Sequence, residues 1–96
     1  MKYKVIKLGK AQEEFDVLTK EQQKWLNDDY EIIELETIGA VNTRPLGDKI
    51  FEIKTKNIRS LFKYQEESII IIGLIFVKKT QKTPKEILKL AKKRLK

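Results

Sequence analysis

"IIIIGLIFVKKTQKTPKEIL", Ile69–Leu88, sets two structural patterns side by side. Ile69 to Val77 is β-branched and apolar at almost every position, as expected of a central strand covered on both faces. "TPKE", Thr83–Glu86, then reads as a helix start, with Thr83 as cap, Pro84 at the first helical position and Glu86 at the third. Ile87, Leu88, Ala91 and Leu95 give that helix an apolar stripe. Between the two lie Lys78, Lys79 and Lys82, which neither structural task requires. They are either the ordinary charged exit of a buried strand or a surface that holds something negative.

Working back along the chain, "IRSLFKY" (Ile58–Tyr64) alternates Ile58, Ser60, Phe62 and Tyr64 with Arg59, Leu61 and Lys63. "KIFEIKTK" (Lys49–Lys56) sets Phe51 and Ile53 on one face and Glu52, Lys54 and Lys56 on the other. Asn57 supplies a turn between these two strands, and "NTRPLGD" (Asn42–Asp48) reads as a loop. Near the start, Lys2–Leu8 alternates as a strand that ends at Gly9, and Ala11–Leu18 suits a short helix. "TKEQ", Thr19–Gln22, is a capping box. The helix it opens has a broad apolar face of Trp25, Leu26, Tyr30, Ile32, Ile33 and Leu35, with Gly39 as its stop. The expected order is β-α-α-β-β-β-α: an α+β fold with a small antiparallel sheet packed against helices, in one domain over residues 1–96.

Charge is segregated along this order. Ala11–Thr37 holds nine acidic residues against Lys20 and Lys24, whereas Lys78–Lys96 holds nine basic residues against Glu86. The net charge of +7 favours polyanionic partners. The chain has no cysteine and no histidine, which excludes disulfides, thiol catalysis, histidine triads and His/Cys metal sites. The charged, alternating N-terminus is unlike a signal peptide, and the apolar run at Ile69–Val77 is far short of the roughly 20 residues a spanning helix needs. A cytoplasmic protein without membrane contact is the expectation.

If the three late strands are neighbours, one sheet face and one sheet end collect Lys54, Lys56, Arg59, Lys63, Lys78, Lys79 and Lys82 around the carboxylate of Glu52. Such a set suits RNA. Phosphate contacts supply affinity, and cations stabilise the extra negative charge on a pentacoordinate phosphorus as a 2′-hydroxyl attacks it. Cleavage without a metal also needs a base and an acid. Here these come from Glu52, Lys54, Tyr64 or the Lys78–Lys82 segment, a lysine base requiring a pKa lowered by neighbouring cations. The structural readings stand beside this one: Glu52 as a cross-strand ion pair, the alternating lysines as a wet strand face, and Lys89–Lys96 as a solvated helix face.

The later half of the chain resembles the RelE/HigB toxin superfamily, in particular its phage-derived HigB-like branch. That branch shows a strand "L..GLYELR", a strand "YRVLYF" and, after an apolar strand, "F.KK..KTP..EI..A..R". The counterparts here are Pro45–Lys54, Ile58–Tyr64 and Phe76–Arg94. The resemblance implies a microbial-RNase-like RelE fold and the toxin of a type II toxin–antitoxin pair. It further implies a metal-free, cofactor-free mRNA endonuclease that enters the ribosome and is held by a cognate antitoxin, expected to be of helix-turn-helix type. Carried over by position, the catalytic candidates are Lys54, Arg59, Lys79 and Glu52, with Lys56, Lys63, Lys78 and Lys82 as RNA contacts. Lys54 stands where the branch carries Arg, and Ile58 where it carries Tyr. Those departures keep open a non-catalytic RNA- or protein-binding relative of the toxin fold, of prophage origin. The occurrence of related sequences in prophages adds a third reading, a phage structural or regulatory protein.

Overall fold

The structure, a computed structural model, describes residues 2–79 and 83–96. Its elements are β1 (Lys4–Lys7), α1 (Gly9–Asp16), α2 (Lys20–Leu35), a 3-10 turn at Ile38–Ala40, β2 (Thr43–Gly47), β3 (Ile50–Thr55), β4 (Ile58–Glu66), β5 (Ile69–Val77) and α3 (Lys85–Arg94). The sheet runs β1-β5-β4-β3-β2. Three antiparallel hairpins link β2 to β5, and β1 adds to β5 in parallel.

The α+β architecture matches the expectation, with two amendments to the sheet. It is mostly antiparallel but includes one parallel pairing, β1 with β5, because the two helices between β1 and the hairpins return the chain to the far edge. It also has a fifth strand, β2, where turn-rich composition suggests a loop. Pro45 is tolerated there because β2 is an edge strand, where a missing N–H disrupts no inner ladder. The β2–β3 turn is Asp48–Lys49, both at positive φ (52° and 64°), which suits the right-handed twist of a hairpin.

The sheet separates two apolar clusters. On one face Phe15, Leu26, Tyr30 and Ile33 of α1 and α2 pack on Ile53, Ile58, Phe62, Ile70, Ile72 and Ile75. On the other, Ala91 and Leu95 at the end of α3 pack on Ile50, Leu61 and Leu74. The change of parity along β5, from Ile70 and Ile72 to Ile75 on the same face, comes from a bulge. Leu61 pairs with Leu74, but Phe62 pairs with Ile72, leaving Gly73 unmatched. Glu14 and Arg94 satisfy the freed backbone: Ile75 N–H donates to Glu14 Oε1 at 3.0 Å, and Arg94 Nη1 donates to Gly73 O and to Glu14. A Cβ at residue 73 would lie 2.5 Å from Leu95 Cγ, so glycine is what lets the end of α3 approach the sheet.

Helix boundaries follow the capping chemistry with three corrections. The Thr19–Gln22 box forms in both directions. However, α2 ends at Leu35, which is exposed, and Gly39 sits in the following 3-10 turn rather than stopping the helix. α3 begins one residue later than expected. Pro84 is extended at its cap position, and no side chain caps the helix. The Thr83 hydroxyl instead donates to Glu52 Oε1 at 3.0 Å, a charge-assisted bond to a buried carboxylate.

Candidate functional site

On the α3 side, beyond the small apolar cluster, the sheet end opens into a pocket of about 170 Å³ lined by Asn42, Thr43, Arg44, Glu52, Lys54, Arg59 and Lys78. A water occupies roughly 30 Å³ of liquid, so the space admits a small polar group such as a phosphate. Register explains the gathering. Arg44 of β2 lies opposite Glu52 of β3, and Lys54 of β3 lies opposite Arg59 of β4. Lys78 N–H bonds Asn57 O, extending the β5 edge beyond Val77. Because the Gly73 bulge has reversed parity, Lys78 follows Leu74 and Phe76 onto the α3 face.

Glu52 is the anchor. It is 1% exposed, and its carboxylate takes Arg44 Nε at 2.8 Å, Thr83 Oγ1 at 3.0 Å and the charge of Arg59, whose Nε lies 3.7 Å away. Glu52 is therefore the cross-strand ion pair of the structural reading, with both oxygens engaged. It orients cations rather than offering a free base. Arg59 is also buried, at 6% exposed; its Nη1 donates to the carbonyls of Lys56 and Ile58. Its Nε has no hydrogen-bond partner among the described residues. A buried guanidinium so placed holds positive charge beneath the pocket floor without reaching into solvent.

Lys54 is exposed and Lys78 half-buried, so these two are the solvent-facing lysines of the set. Partial desolvation at the pocket rim pushes the Lys78 ammonium below the usual lysine range. Arg59, Arg44 and Lys54 push the same way, and Glu52 opposes them. The Lys78 ammonium therefore gives up its proton more easily than a free lysine does. Two like charges directly opposite one another, Lys54 and Arg59, are unfavourable in a sheet. They coexist here beside a buried carboxylate.

Of the residues singled out in the sequence, the pocket brings together Lys54, Arg59, Glu52 and Lys78. Lys79 is exposed, has the opposite parity and does not line it. Lys56 departs too: its positive φ of 53° breaks the alternation, and its ammonium sits 4.9 Å from the Trp25 ring centroid instead of beside Lys54. Lys63 shares the α3 face but lies at the far end of β4, near Lys92 and Lys96. Tyr64 packs edge-on against Phe51 and Phe62, away from the pocket. Lys82 lies outside the described residues. Arg44 is the participant that sequence reading missed; the signal was its place shortly before the Asp48–Lys49 turn, opposite an acidic strand position.

The comparisons with known proteins agree with this architecture. Residues 13–96 match the family described as phage derived protein Gp49-like (DUF891). No curated protein matches the chain. Among solved structures, a free-state mutant of the E. coli toxin RelE, with two arginines replaced by alanine, superposes with a TM-score of 0.71 at 17% identity, covering 98% of each chain. The toxin–antitoxin complex RelBE2 of Mycobacterium tuberculosis gives 0.68 at 14% identity, over 81% of this chain and 100% of the other. The RelE–RelB complex of the archaeon Pyrococcus horikoshii OT3 gives 0.62 at 14% identity, over 80% and 96%. The sheet, its three helices and the matched sequence lead to one conclusion: the chain belongs to the phage-derived Gp49-like family and has the fold of the RelE structures.

Proposed function

We propose that the chain is the toxin of a toxin–antitoxin pair and cuts mRNA on the ribosome, using the Lys54–Lys78 pocket without a metal. The single observation that carries this reading is the pocket itself: two arginines and two lysines converge on one phosphate-sized space around a buried carboxylate. In this mechanism Lys78, with its lowered pKa, takes the proton of the attacking 2′-hydroxyl. Lys54 and Arg44 neutralise the charge that builds on the equatorial phosphate oxygens, and Lys54 donates a proton to the departing 5′-oxygen. Glu52 and Arg59 do not touch substrate; they hold Arg44 and the local potential in place. An antitoxin partner is supported by the RelB-bound state of two of the similar structures.

Expression of the chain alone in a bacterial host should arrest translation and create new mRNA 5′ ends within translated messages. Co-expression of the neighbouring gene's product should relieve both. Unchanged growth, translation and 5′ ends would sink the proposal.

One observation favours a second reading, a non-catalytic RNA-binding relative. Among the described residues the pocket lining contains no aromatic side chain, and Ile58, in the position where the related branch carries Tyr, is fully buried in the α2-side core. A stacking or acidic phenol is therefore missing from the described pocket. RNA binding that persists without any cleavage would favour this alternative.

A further inference from the structure

α3 has a basic site at each end. Its start lies at the Lys54–Lys78 pocket, through Thr83 and Glu52. At its other end, Lys92 and Lys96 meet Lys49 of the β2–β3 turn and Lys63 of β4 around a cavity of about 340 Å³. Asp48, the acidic residue in this lining, is paired with Lys92, which lowers the Asp48 pKa. Four cations thus face one anion. The helix C-terminus favours cations, which accounts for Lys92. It does not account for Lys49 and Lys63, which the sheet brings in from the β2–β3 turn and from β4. Lys49 occupies a left-handed φ of 64°, where Asn or Gly is the unstrained choice.

We propose that this second cluster binds a further backbone phosphate of the same RNA strand. This rests on reading the first pocket as an RNA site. The spacing agrees by two independent rulers. Arg59 and Lys63 are four residues apart on β4, about 13 Å at ~3.3 Å per residue. α3, with 10 residues, spans about 15 Å at ~1.5 Å per residue. Both sites lie on the same sheet face, so one extended strand passing beside α3 meets both. The exposed lysines Lys85 and Lys89 lie on the helix between them.

The test compares the intact chain with the double variant Lys49→Asn/Lys63→Gln. Asparagine accepts the left-handed φ, so the turn is retained, and thermal melting checks the fold. Binding is titrated over a salt series with a dinucleotide and with a single-stranded RNA of about ten nucleotides, within the span of one small domain. Each phosphate contact contributes a slope of about −0.7 on single strands, equivalent to about fivefold at ~0.1 M salt. The longer RNA should lose about fivefold or more in affinity and bind with a flatter slope, while the dinucleotide should bind unchanged. Lys63→Arg should retain binding. Equal affinity and slope for the longer RNA in a folded double variant would overturn the inference, even if the first pocket cleaves RNA. Conversely, loss of longer-RNA binding in the double variant would uphold it even if no message is cut.

Discussion

The two faces of the sheet obey different rules. On the α1/α2 face the buried polar groups are few and matched. Tyr30 Oη and Ser60 Oγ share a 2.7 Å hydrogen bond, and the Thr55 hydroxyl donates to Asp29 at 2.6 Å. Aliphatic and aromatic side chains fill the rest. On the α3 face, one end is an apolar contact bordered by surface lysines. The other end buries a glutamate and an arginine, aligns Lys54 with Arg59 and leaves an N–H unpartnered among the described residues. Departures from stable packing that collect in one place mark where stability has been traded for a site.

The comparison predicts that the same polar loss costs differently on each face. Glu52→Gln removes the partner of two arginines, one of them buried. Removing one member of a buried ion pair costs about 3–5 kcal/mol, so denaturant melts should show a loss of that size together with lost toxicity. A near-neutral result would show that Glu52 does not hold the arginines. Ser60→Ala, on the opposite face, leaves the buried Tyr30 hydroxyl unpaired and should cost about 1–3 kcal/mol. Toxicity should survive wherever the variant still folds. Equal damage to function from both variants would dissolve the distinction between the faces.

Lys78→Met and Lys54→Met should change stability by no more than about 0.5 kcal/mol, as surface substitutions do, while abolishing cleavage. A smaller effect is a pH profile. With the Lys78 pKa below its ordinary 10.5, the neutral amine becomes available at lower pH than in a free lysine. Single-turnover cleavage by the intact chain should therefore rise with pH and level off below that value. The Lys78→Met variant should lack this limb; its persistence would assign the base elsewhere.

Alternation and capping made most of this arrangement readable. The three late strands, the Thr19 capping box and the neighbouring positions of Lys54, Arg59 and Glu52 follow from local chemistry. What escaped depends on events that alternation does not encode. The bulge at Gly73 reverses parity, and that is why Lys78 rather than Lys79 enters the pocket. The positive φ at Lys56 sends its ammonium to Trp25. Pro45 and Gly47 disguised an edge strand as a loop and hid Arg44 with it. Thr83 looked like a helix cap because the partner to which its hydroxyl donates, Glu52, is distant in sequence.

The most direct measurement maps mRNA 5′ ends after induction of the intact chain and of Lys78→Met, with both shown to be folded and equally abundant. The account predicts new ends within translated messages for the intact chain and none for the variant. Identical end profiles for the two would contradict it.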